Sequence, residues 1–167
     1  MPLLPAVLGA GFTAASVTGM ANLDPVNGRR AQAILYARAY DTYARMAASL
    51  GGSPPTVVNY AGFEEALIES FSRNPVGFSA PATDWAEATE LYWTGAAFGP
   101  SGIVTIVPPA AILAGALEPL WRASSLVPTP APAISVSMAL LLHSYTLGVI
   151  VKDTALPPPV GSLGPIA

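Results

Sequence analysis

Apolar and polar positions along this chain fall into helical periods broken by short extended links. Tyr36, Tyr40, Tyr43 and Ala47 recur at spacings of three and four, with Ile34 ahead of them, and Arg38, Asp41 and Arg45 fall on the opposite side. That pattern predicts an amphipathic helix from about Arg29 to Leu50, with Asn27 or Asp24 as its cap and Gly51–Gly52 as its stop. A second helix is predicted from about Tyr60 to Arg73, with Phe63, Leu67, Ile68 and Phe71 inward and Glu64, Glu65 and Glu69 outward. Between them, the β-branched run Thr56 to Val58 reads as an extended arm.

The same succession returns 49 residues later. Laid without a gap over residues 82–122, residues 33–73 give 11 identities in 41 positions, among them Tyr43 with Tyr92, Thr56 with Thr105, Glu69 with Glu118 and Arg73 with Arg122. Tyr36 with Trp85 and Asp41 with Glu90 are conservative pairs in the same register. Alanine matches arise easily in an alanine-rich chain; coincident aromatic, acidic and Glu/Arg pairs do not, so the chain reads as an internal duplication. The second unit is expected to run as a helix from Asp84 to Phe98, an arm over Ile103 to Val107 and a helix from Pro109 to Ser124. Asp84 and Glu87 stand in a capping-box relation, and Pro119 should bend or shorten the last helix. The equivalent links of the two units are expected as extended arms, with pairing between them as short strands the less favoured alternative.

The flanking segments fit as half units. Val7 to Met20 takes the place of a second helix ahead of the first unit, and Ile134 to Val151 that of a first helix after the second. The expected fold is mostly α, with about six helices in a single domain over residues 1–155. Its units lie at about 29–74 and 82–123, and residues 156–167 form a Pro/Gly tail that extends freely or lies along a neighbour.

Composition narrows the function. A chain of 167 residues suits one domain, which buries about two thirds of the surface exposed on unfolding. It is 52% hydrophobic and only 10% charged, against a usual charged share of about 25%. So little charge covers a free monomer poorly and implies that part of the exterior is covered by a partner. A net charge of −3 and seven scattered basic residues exclude a nucleic-acid footprint, and the doublet Arg29–Arg30 reads as a solvated first helical turn. With no cysteine, disulfides and thiolate chemistry are excluded.

Ala133 to Val151 holds 19 residues without a charge, long enough to span a bilayer, but six of them are Ser, His, Tyr or Thr, which favours a buried or interface helix. A small membrane protein spanning with residues 133–151 is therefore the alternative. The apolar N-terminal stretch lacks a basic region and contains Pro5, so it is expected to be a retained first helix, not a secretory signal.

Candidate chemistry is sparse. His143 is the one histidine and reads as a buried residue bonded to a hydroxyl or backbone partner. It has neither a thiolate nor an acidic cluster beside it, so no metal site is expected. Glu64, Glu65, Glu69, Asp84, Glu87 and Glu90 read as solvated helix faces. No nucleophile elbow, phosphate loop or dinucleotide fingerprint is present, and no enzymatic activity, cofactor or small-molecule substrate is expected. Tyr36, Tyr40, Tyr43, Trp85, Tyr92, Trp93 and Trp121 are candidates for core and interface packing, with a helical ligand-binding module as a further alternative.

Two sets of residues, Tyr36, Ala39 and Tyr43 leading to Ala66 and Leu67, and Trp85, Ala88 and Tyr92 leading to Ala116 and Leu117, carry a resemblance. Joined by Pro/Gly links with β-branched runs, they resemble small Ala/Pro-rich virion structural proteins of tailed bacteriophages. The resemblance implies a particle component of the neck, tail or baseplate, located in the virion, whose partners are copies of itself and other particle proteins.

Overall fold

A computed structural model describes residues 3–21, 25–73, 77–127, 129–154 and 163–166. Six helices carry the fold: α1 (Pro5–Ala21), α2 (Pro25–Ala44), α3 (Tyr60–Ser72), α4 (Ser79–Trp93), α5 (Ala110–Leu126) and α6 (Ala131–Thr146). Each packs against the next in sequence, and α1 packs against α6, so the bundle closes into a ring. The duplication explains the closure. In each unit a first helix docks on a second, α2 on α3 and α4 on α5; the half units at the chain ends, α6 and α1, meet to complete a third pair.

The centre of the ring is aromatic. Phe12, Tyr36 and Trp85 form a T-shaped cluster with centroids 5.0 to 5.9 Å apart, in which the repeat-related Tyr36 and Trp85 face each other. Below it Tyr40, Phe63 and Tyr92 pack at 5.2 to 5.6 Å, and Trp93 stacks on Phe98. Edge-to-face contacts of this kind add to the apolar burial that drives collapse.

One end of the bundle is capped by an antiparallel sheet in the order β1-β2-β3-β4-β5: β1 (Pro55–Val57), β2 (Ala97–Phe98), β3 (Gly102–Ile106), β4 (Ile150–Asp153) and β5 (Leu163–Pro165). The links of the two units, β1 and β3, thus share a sheet, but β2 lies between them. Thr154 stands 49 residues beyond Thr105, which marks β4 as the counterpart of β3 in the third, split unit. Asp153 is buried at this end and accepts from Ser101 at 2.7 Å and from Ser49 at 3.4 Å, tying β4 to two loops.

Several boundaries differ from the periodic pattern. α2 starts at Pro25, a residue suited to a first helical position, so Asn27 lies inside the first turn and not at the cap position; Asp24 is outside the described residues. It ends at Ala44, before the turns that lead to Gly52 at φ +77°. α4 begins at Ser79, which puts Asp84 and Glu87 mid-helix and dissolves the capping box; Asp84 instead pairs with Arg73. The predicted helix over 134–151 is divided. α6 stops at Thr146, where Gly148 passes so close to Pro108 that a Cβ would meet its ring at 2.7 Å, and the β-branched run beyond joins β3. Pro119 does not end α5. Pro119 and Gly115 four residues before it are both exposed, so the carbonyl that loses its partner faces water.

The tail also departs from expectation. Residues 155–162 lie outside the described residues, but β5 returns to pair with β4, and Ile166 is buried in the same core. Residues 163–166 therefore lie along the chain's own sheet.

Phe12 connects α1 to both α2 and α4, so truncating it should loosen the ring. Phe12→Ala is expected to cost about 3–5 kcal/mol in urea unfolding, and Val17→Ala, on the exposed face of α1, less than about 0.5 kcal/mol.

Candidate functional site

Six of the seven aromatic candidates, Tyr36, Tyr40, Tyr43, Trp85, Tyr92 and Trp93, are buried in the chain's own core and present no ring to a partner. The physical reason is closure: the stripe on α2 meets the repeat-equivalent stripe on α4 across the axis. Trp121 alone stays partly exposed.

Between the two aromatic layers and the sheet runs a hydrogen-bond chain. Trp93 Nε1 donates to the Tyr40 hydroxyl at 2.9 Å, which leaves Tyr40 to donate to Thr146 at 2.8 Å, and Thr146 donates to the Leu142 carbonyl at 2.7 Å. Tyr43 bonds His143 Nδ1 at 2.7 Å, so the histidine is half-buried against a hydroxyl partner. Tyr92 donates to Asp41 at 2.8 Å, and Arg45 holds the other carboxylate oxygen at 2.8 Å. Burial pushes Tyr40 up to about 12; burial, and then the Asp41 carboxylate, push Tyr92 higher still. Hydroxyls held neutral in this way serve as structural donors and make poor nucleophiles.

Four of the six acidic candidates are engaged in structure, and Glu65 and Glu87 are exposed. Glu69 and Asp84 both pair with Arg73, at 2.7 and 3.3 Å, Glu64 accepts from Tyr60, and Glu90 accepts the Ala110 backbone N–H at 2.7 Å to cap α5. Among the described residues, no three of His, Cys, Asp and Glu converge in a way that would hold a metal ion.

Two surfaces remain. The first is a pocket of about 580 Å³ at the end of the ring opposite the sheet, where α1, α3 and α5 finish and α2, α4 and α6 begin; all six helices contribute to its wall. Trp85 and Tyr36 form its inner wall, and Trp121, Phe71 and Phe78 its sides. This explains Trp121: it continues the Leu113–Leu117 stripe of α5 to the helix end, where the core gives way to the pocket.

The second surface is the outer side of α1 and α6. Neither helix contains an Asp, Glu, Lys or Arg. Val7, Ala10, Ala14 and Val17 face out on α1, and Ala133, Val136, Leu140 and Ser144 on α6, with Val136 and Leu140 half exposed at 50% and 52%. All charges of the chain except Lys152 and Asp153 lie between Asp24 and Arg122, which leaves this side of the ring neutral. Among the described residues no helix is long and apolar enough to cross a membrane.

No protein-family model, curated protein or solved structure matches this chain.

All six tyrosines are shifted upward, so none should ionise near its ordinary 10 while the chain is folded. The unfolded chain deprotonates first; stability is therefore undiminished below pH 10 and falls as pH rises through about 12. Ultraviolet absorbance of tyrosinate should appear together with loss of helical circular dichroism, and a tyrosinate signal near pH 10 in a still-folded chain would contradict the buried network.

Proposed function

We propose that the chain is a structural, non-enzymatic subunit of a multi-copy assembly, and that its first contact with another copy is made by the neutral outer side of α1 and α6. The observation that carries this reading is the absence of charge from two adjacent helices whose outward stripes are half-exposed Val and Leu. Placing two such faces together removes apolar surface from water and desolvates no charge, and identical patches meet as self-complementary partners about a two-fold axis. A soluble domain with nothing to cover it would normally carry Lys and Glu there.

Growth beyond a pair needs a second contact. The outer face of the sheet supplies apolar positions for one, at Val57, Ile103 and Ile106. Extension by strand addition is disfavoured, because the edge strands β1 and β5 have three residues each and contain Pro55 and Pro165. On its resemblance to tailed-phage virion proteins, the assembly we propose is a phage particle, with this chain as a neck, tail or baseplate component. Peptides of this chain in purified particles, found by mass spectrometry, would support that assignment; their consistent absence would remove it while leaving self-association open.

Light scattering coupled to size exclusion tests the association itself. The full chain is expected to elute as a multimer at tens of micromolar. Ala133→Glu with Leu140→Glu should weaken association about tenfold or more, while Thr83→Glu, on the exposed outer face of α4, should leave it unchanged. A wild-type chain that is monomeric at that concentration would overturn the reading.

A further inference from the structure

We infer that the pocket at the open end of the ring is a binding site for an uncharged ring-bearing molecule that carries a hydroxyl or carbonyl group. This goes beyond the assembly role and does not depend on it, since the pocket opens on the bundle end and not on the outer side of α1 and α6.

The size is right for such a ligand: about 580 Å³ falls within the roughly 300–1,000 Å³ typical of small-molecule pockets. Its walls are mostly apolar and aromatic, with Trp85, Trp121 and Phe71 contributed by three different helices. A cavity lined by rings on three helices suits a planar or alicyclic body better than a flexible chain, because offset and edge-to-face contacts reward rigid rings.

The inner end of the pocket is polar. Ser16 on α1, Tyr36 on α2 and Ser135 on α6 bring three hydroxyls together. Ser16 donates to the Phe12 carbonyl at 3.0 Å, so the 2.6 Å contact with Tyr36 is made by the tyrosine proton. Ser135 is only 2% exposed, and its contact with Ser16 is 3.5 Å long, well beyond a good O–H···O bond. A buried hydroxyl held so weakly beside an open cavity is positioned to exchange a better hydrogen bond with a ligand oxygen, which fixes the ligand's orientation.

The charges at the rim argue against an anion. Arg73 is already committed to Glu69 and Asp84, and an incoming carboxylate would have to compete with both. Arg29, the other cation lining the pocket, is engaged as well. A neutral oxygen donor or acceptor meets no such competition at the Ser16–Tyr36–Ser135 group.

Naphthol, naphthalene and naphthoate, titrated calorimetrically into the full chain, separate these terms. Naphthol is expected to bind tightest, with the Trp121 indole N–H resonance shifting on saturation. Ser135→Ala should weaken naphthol about five-fold while changing naphthalene less than two-fold. Met138→Trp, which fills the cavity from α6, should abolish binding of both; where that variant does not fold, the Ser135→Ala comparison still decides. Failure of all three probes to saturate, equal weakening of naphthol and naphthalene by Ser135→Ala, or tightest binding of naphthoate would each overturn the proposal.

Discussion

The packing of α1 against α6 closes the ring, and the pocket, the buried aromatic layers and the neutral outer side all follow from it. It depends on close approach of backbones. A Cβ on Gly9 would touch Val136 and Ala139, and a Cβ on Gly11 would stand 2.7 Å from that of Ala39 on α2, so α1 is wedged between its two neighbours through small residues. Phe12 then reaches the axis between Tyr36 and Trp85. Without α1 the inner faces of α2 and α6 would meet water, and the rings at the centre would lose their cover.

The two ends of the bundle are built differently. At the sheet end, polar groups are paired through Trp93, Tyr40 and Thr146 and through Asp153 with Ser101, and the chain termini of the helices are tied down by strands. The opposite end is walled by aromatic rings, and at its base Tyr36 bonds Ser16 at 2.6 Å while Ser135 reaches Ser16 only at 3.5 Å. Satisfied networks fix a unique packing, and under-satisfied ones beside a cavity leave interaction energy for something that enters. The duplication underlies both ends, since three helix pairs around one axis necessarily leave space where side chains from all of them fall short of the centre.

Charge follows the same division. Basic residues gather on α2, with Arg29, Arg30 and Arg38, and acidic ones on α3 and α4, while α1 and α6 have none. A low overall charge is thus confined to α2–α5 among the helices, and α1 with α6 remains the side on which contact with another copy desolvates least.

The helical periods, the offset of 49 and the scarcity of charge were all legible in the residues, because 3.6-residue periodicity and self-similarity are local properties of a chain. The half units at either end were legible too, although not that they belong together. The aromatic stripe was readable as apolar, but whether Tyr36 and Trp85 face a partner or each other depends on where α4 lies relative to α2, and no local rule contains that. The helical expectation carried Ile150 and Val151 into the last helix; pairing with β3 made them a strand, since β-branched residues gain most where a neighbour offers a ladder. Trp121, Ser16 and Ser135 carry no shared motif and lie on three helices far apart in sequence. Only closure of the ring brings them to one cavity, because a pocket is a property of the space between elements and not of any element alone.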